Sequence, residues 1–173
     1  MFEDIIECIV KREITTKAVF QRAGMIFLDV VIFIVLFILG GYFPAFLLLF
    51  FIIIGIMVFL TYLVFRNTDV EFEYQFVDGS LRVDKIMHKS TRKKLKVFDM
   101  SRMDYMAPVG SRHHGGLASQ RKMYDYSAND ENMLSYIAVV YDGDNSAVDL
   151  KFTPDEKLLD ALSRAYPRKI YRD

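Results

Sequence analysis

Between Lys85 and Lys96 the chain gathers Lys85, His88, Lys89, Arg92, Lys93, Lys94 and Lys96. Clustered ammonium and guanidinium groups bind anions, and beside an acidic leaflet each contributes about 1 kcal/mol of attraction. Lys85, Lys89, Arg92, Lys93, Lys94 and Lys96 are therefore the candidate ligand-binding residues, for acidic lipid headgroups or another anionic group. The plain alternative is a solvated basic hairpin loop. Other chemistries have less behind them. His113 and His114 are adjacent, so in a strand they would point apart, and no Asp, Glu or Cys stands at metal-ligand spacing from them. Ser111 beside them lacks a nucleophile-elbow context. Cys8 is the only cysteine, which rules out an intramolecular disulfide and suits a reducing compartment. Glu71 and Glu73 fall on the polar face of an alternating stretch. With no P-loop and no GxGxxG, the sequence offers no catalytic residue, no metal set and no cofactor motif. It reads as a non-enzymatic protein.

The elements that must position the basic cluster are set by a long apolar run. From Gly24 to Phe65 the chain has 42 residues with one charged side chain, Asp29, and is interrupted by Gly40-Gly41-Tyr42-Phe43-Pro44. About 20 apolar residues span a bilayer core at 1.5 Å rise each, so residues 23–66 predict a two-span membrane hairpin, with spans near 24–42 and 45–65. The run lacks the basic start and small-residue cleavage site of a signal peptide. Lys11, Arg12, Lys17, Arg22 and Arg66 flank it on one side while the turn is uncharged, which predicts a multi-pass membrane protein with both termini cytoplasmic. Asp29 lies about five residues into the first span, where an acid is a functional hypothesis by default. At that depth it reads as an interfacial residue.

Residues 1–22 place Phe2, Ile5, Ile6, Ile9 and Val10 at helical spacing against Glu3, Asp4, Glu7, Lys11 and Arg12, predicting an amphipathic interfacial helix. After Arg66 the period becomes two. Val70, Phe72, Tyr74 and Phe76 alternate with Glu71, Glu73 and Gln75; Asp78-Gly79 follows, then Leu81 and Val83 alternate with Arg82 and Asp84, predicting a β-hairpin with a tight turn. Strict alternation puts Lys85 inward with Leu81, Val83 and Met87. Either a bulge turns Ile86 inward instead, or Lys85 stands at an open barrel end and binds a phosphate or carboxylate. Further strands are predicted at 94–100, 122–128, 133–141 and 147–152. Tyr105, Tyr124, Tyr126, Tyr136, Tyr141, Phe98 and Met103 would line either an aromatic pocket or, the reading adopted, the core. The stretch from Ser101 to Arg121 reads as one long irregular loop. Thr153 is placed as an N-cap before Pro154 at the first helical position, with Leu158, Leu159, Leu162 and Ala165 as the buried stripe of a helix near 154–165. The fold class is thus a membrane α-hairpin plus an all-β soluble domain over 67–173. Six or so antiparallel strands and a capping C-terminal helix are the order of elements in a pleckstrin-homology-like (PH-like) barrel or sandwich.

The segments VEFEYQFVDGSLRVDKI, HKSTRKKLKVFDMSRMDYMAPVG, LKFTPDEKLLDAL and YPRKIY resemble those of a family of small bacterial membrane proteins found mainly in anaerobic Gram-positive bacteria. The resemblance covers the whole chain and departs at His113-His114-Gly115-Gly116. It implies the same architecture, and neither an activity nor a site comes with it. A looser similarity, by order of elements alone, is to bacterial PH-like proteins with membrane segments before the barrel.

Strand geometry gives the basic cluster a position. The first strand of the hairpin leads roughly 25 Å away from the spans and the second returns, which brings the loop near Lys89–Lys94 back to the leaflet. With 22 basic and 22 acidic residues the chain is neutral, so no global field recruits nucleic acid. The expected function is a membrane-anchored binding module at the cytoplasmic face, for acidic lipid headgroups or an unidentified protein partner. The alternative is a structural, homo-oligomeric or complex-forming membrane subunit.

Overall fold

The computed structural model describes residues 5–42, 47–88, 91–114, 121–143 and 146–172. The chain divides into two units: Ile14–Asp69, and a second made of Met1–Glu13 together with Val70–Asp173. The first holds two helices, α1 (Thr16–Tyr42) and α2 (Leu47–Thr68), both long and apolar enough to cross a membrane, each containing an 18-residue stretch of high mean hydropathy, 2.8 and 2.4. Gly40 and Gly41 do not break α1 as the sequence suggests but complete its last turn. Phe43 and Pro44 of the expected turn lie outside the described residues. Within this unit Asp29 Oδ2 accepts a hydrogen bond from Thr61 Oγ1 of α2 at 2.5 Å. The neighbouring Arg22 likewise donates from Nε to Thr68 Oγ1 at 2.7 Å.

The second unit begins with a correction. Residues 6–11 form not an amphipathic helix but a strand, β1 (Ile6–Lys11). Its six residues pair antiparallel with β2 (Val70–Val77), from Ile6 opposite Phe76 to Lys11 opposite Glu71. Alternation also fits this segment, and its β-branched residues suit a pleated surface. Pairing with β2 buries Cys8 and Val10 to 5% exposure, and a lone interfacial helix has no such ladder to offer. The helical hairpin is therefore inserted between two neighbouring strands of one sheet.

That sheet, of order β1-β2-β3-β4, adds β3 (Ser80–Met87) and β4 (Thr91–Asp99). The β2–β3 turn is as predicted: Asp78 and Gly79 both have positive φ, 51° and 73°, the condition for a type I′ hairpin. A 3-10 turn (Met100–Arg102) leads to the second sheet, of order β5-β7-β8-β6, from β5 (Met103–Pro108), β6 (Lys122–Asp125), β7 (Tyr136–Tyr141) and β8 (Ala147–Phe152). The stretch 101–121 is thus not wholly irregular, and the sheet is not wholly antiparallel, because β6 runs parallel to β8. Helix α3 (Glu156–Ala165) closes the sandwich through Leu158 and Leu162, both fully buried. Ala165, assigned to its buried stripe, is exposed.

The cap of α3 also differs from expectation. Asp155, not Thr153, is the N-cap and accepts from Leu158 N at 2.8 Å, so Pro154 precedes the helix. Thr153 Oγ1 is already engaged, accepting from Ala128 N at 3.0 Å and sharing a 2.9 Å bond with Ser135 Oγ. The core lies between the sheets, where Tyr74 meets Phe152 edge-on with centroids 5.6 Å apart and Phe98 meets Tyr124 at 5.8 Å. Tyr136, Phe98 and Met103 are core as expected, whereas Tyr141 is 41% exposed. Tyr74 stays hydrogen-bonded in this apolar setting, its hydroxyl donating to Tyr126 O at 2.5 Å. Burial drives its pKa well above the usual phenol value.

Candidate functional site

The basic residues of β3 and β4 are sorted by register. Val83 stands opposite Lys96 and Asp84 opposite Lys94, so the ladder slips by one residue at Leu95 of β4. This bulge lies on β4, and the alternation of β3 is kept. The expectation that a bulge turns Ile86 inward fails: Ile86, though only 6% exposed, stands opposite Glu71 on the other face, while Lys85 stands opposite Phe72 of the core. Lys85 therefore has its stem on the inward face, half-buried, near the strand end.

Opposite Lys85 on its other side is Lys93. Directly opposed cross-strand side chains have Cβ atoms about 5 Å apart, and like charges in that position are destabilising. Neither lysine has an ion-pair partner among the described residues, nor has Lys94. The rung lies two residues, about 7 Å, from the one formed by Val70, Met87 and Thr91, which ends the sheet where the chain passes to the helical unit.

The other members of the predicted cluster are engaged or lie elsewhere. Arg92 is 3.1 Å from Glu73 Oε1, and Glu73 is 1% exposed. Lys96 joins the two sheets: it makes an ion pair with Asp142, donates to the Tyr124 hydroxyl at 3.2 Å and sits 4.4 Å above that ring's centroid. Burial works to lower the Lys96 pKa, but the bonds to Asp142 and Tyr124 outweigh it and the net shift is upward. Lys89 lies outside the described residues. The structure thus brings together Lys85 and Lys93, sets Lys94 opposite Asp84, and gives Arg92 and Lys96 partners of their own.

Sequence reasoning missed the acids of this sheet. Glu73 and Asp84 stand directly opposite each other on the outer face, 1% and 6% exposed, and Glu73 Oε2 and Asp84 Oδ1 make no hydrogen bond. Strict alternation read them as solvated polar positions, and no local signal marks them as buried. On the second sheet Asp149 is fully buried beside Arg121, whose Nε is 3.0 Å away, and burial raises the Asp149 pKa. The two histidines pack against nearby groups. His114 Nε2 bonds the carbonyls of Ala107 at 3.2 Å and Pro108 at 2.9 Å, and His113 stacks on Tyr171 with centroids 3.8 Å apart. Gly115 and Gly116 lie outside the described residues.

Two stacked sheets closed by a C-terminal helix define a PH-like sandwich, open at its corners. The chain belongs to the family described as bacterial PH-like domain (DUF6106), which it matches over residues 3–172. Neither a curated protein nor a solved structure matches it. The PH-like description covers β1 as well as the later strands, so the inserted hairpin lies within the family's own span.

Proposed function

We propose that this protein is a membrane-anchored, non-enzymatic PH-like module that binds anionic lipid headgroups through Lys85 and Lys93, with Lys94 and Lys89 adding charge. The reading takes α1 and α2 as a two-span anchor with both termini in the cytoplasm. The basic flank at Lys11, Arg12, Lys17, Arg22 and Arg66 supports that orientation. One observation carries the binding function: two lysines from adjacent strands oppose each other without a carboxylate between them. A phosphate bound there would turn a repulsive rung into an attractive one. The half-buried Lys85 stem lowers the local dielectric, which strengthens the contact.

The test uses the full-length protein in mild-detergent micelles carrying phosphatidylglycerol and phosphatidylcholine in equal amounts, with bound lipids counted by native mass spectrometry. Phosphatidylglycerol is expected to dominate on the wild-type protein, and the Lys85→Gln/Lys93→Gln variant is expected to bind the two lipids equally. Equal binding by the wild type, or an unchanged preference in the variant, would sink the proposal. A stoichiometric protein retained in place of lipid would favour a protein partner as the ligand.

A further inference from the structure

The helical unit has one charged side chain in its apolar run. From Ala23 to Phe65 the chain carries Asp29 and no lysine, arginine or histidine. Two bonds between the helices fix where that acid lies. Arg22 Nε donates to Thr68 Oγ1 at 2.7 Å toward one end of the pair, and Asp29 and Thr61 stand seven residues further along their helices, about 10 Å deeper at 1.5 Å per residue. With Arg22 and Arg66 at headgroup level, that depth is inside the hydrocarbon.

The carboxyl group of Asp29 is half satisfied. Its Oδ2 accepts from Thr61 Oγ1 at 2.5 Å, while Oδ1 is buried and makes no hydrogen bond. Arg22, the nearest cation in the sequence, is held by Thr68 and lies with its guanidinium 4.8 Å over the Phe65 ring. Acids inside membranes ordinarily face the interior of a helix bundle, where another polar group meets them. Two helices enclose no such interior. Beside Asp29 they leave a notch of about 300 Å³, lined by Asp29, Val30 and Phe33 of α1 and by Ile54, Met57 and Val58 of α2. Every lining residue but Asp29 is apolar, and Val30 and Val58 are 52% and 65% exposed.

We propose that this notch seats a transmembrane helix of a partner protein, which brings an arginine or lysine to Asp29. The occupant follows from charge and depth. The apolar stem of such a side chain suits Val30, Phe33 and Met57, and its head supplies the donors that Oδ1 lacks. The carboxyl torsion of an aspartate is broad, so a donor in the notch draws Oδ1 outward without leaving a rotamer well. Acyl chains bring no donor to this depth. A second copy fits no better, because its apolar run is equally without a cation and its Thr61 hydroxyl already donates to its own Asp29. The inference rests on the reading of α1 and α2 as a membrane anchor. It is independent of the lipid site, whose lysines belong to the other unit of the chain.

The test uses the full-length protein, with a fluorophore at its C-terminus, in phosphatidylcholine vesicles that hold no anionic lipid. The probe is a synthetic membrane-spanning peptide of leucine and alanine with one arginine about 10 Å below its lysine-flanked end, its association read by energy transfer. The arginine peptide should associate about tenfold more tightly than the same peptide with leucine at that place. Asp29→Asn should abolish the difference, and Thr61→Val, which removes the competing donor, should keep or enlarge it. A carboxyl that only holds the two helices together would respond alike to both variants. Moving the arginine to the opposite end of the peptide should also remove the preference. Equal association of both peptides with the wild type, or a preference that survives Asp29→Asn or the move, would overturn the inference. So would self-association of the wild type that Asp29→Asn disrupts, since a second copy would then fill the notch. Alkaline extraction separates the underlying reading: protein washed from the vesicles overturns the anchor and the inference together, and retained protein without the preference overturns the inference alone.

Discussion

The two sheets of the sandwich treat their polar groups differently. On the second, the β5 edge is taken up by the C-terminal segment and the buried Asp149 has Arg121 beside it. On the first, the backbone groups of Glu7 and Ile9 on the β1 edge make no backbone bond among the described residues and Lys85 faces Lys93, while buried carboxylate oxygens without hydrogen bonds occur on both sheets, at Glu73 and Asp84 of the first and at Asp149 of the second. A fold under no demand but stability would compensate both alike. The opposed lysines and the uncovered edge groups mark the first sheet as the working side and leave the second sheet, with α3, as the support.

The sharpest way to break this contrast is at the insertion. Replacing Ile14–Asp69 by a short turn should give a soluble unit that unfolds cooperatively by circular dichroism, because Arg12 already pairs with Val70. Residues 70–173 alone should fail to fold. Without β1 they expose Phe72 and Tyr74 and lose a ladder of six residues, a deficit comparable with a whole domain's stability of about 5–15 kcal/mol. On the supporting sheet, Asp149→Ala should cost about 3 kcal/mol in denaturant unfolding, since it strands the guanidinium of Arg121, only 20% exposed.

A smaller effect is expected with pH. Burial raises the Cys8 thiol from 9.0 to about 11. The folded chain therefore holds its proton where the unfolded chain has lost it, so this contribution is complete below pH 9 and falls by up to about 1.4 kcal/mol per pH unit between 9 and 11. Tyr74, shifted the same way, adds to the decline above pH 10. Thermal melts should show the slope from pH 9, and Cys8→Ala should flatten its first part. Least in stability, but opposite in sign, is Lys85→Met. Removing one of two opposed charges should leave the melting temperature unchanged or raise it by the equivalent of about 0.5 kcal/mol, while the preference for phosphatidylglycerol falls. A clear loss of stability in that variant would move Lys85 from the working side to the supporting one.

Parts of this were legible in the sequence because their causes are local. The β2–β3 hairpin follows from alternation closed by Asp78-Gly79, a pair suited to the two positive φ angles it adopts. Helix α3 follows from Leu158 and Leu162. Its cap was misread because Thr153 looks as good locally as Asp155, and only the folded chain occupies the Thr153 hydroxyl with Ala128 and Ser135. Strand β1 was misread for a similar reason. Ile5, Ile6, Ile9 and Val10 satisfy helical spacing, and the strand that outbids a helix for them begins at Val70, beyond the whole hairpin. In the basic cluster, charge was visible but compensation was not, since Glu73 and Asp142, the partners of Arg92 and Lys96, lie 19 and 46 positions away.

By itself the sequence determined two apolar helices, a neutral chain with a single cysteine, one tight hairpin and a terminal amphipathic helix. Each of these depends on composition or on neighbours within a few residues, where local sterics and periodicity decide. The tertiary structure alone decided that β1 joins a sheet across the inserted hairpin, that the C-terminal segment covers β5, and which two lysines are left facing each other. Those outcomes are pairings between distant segments. They are settled by which buried backbone and charged groups find partners once the chain has closed on itself.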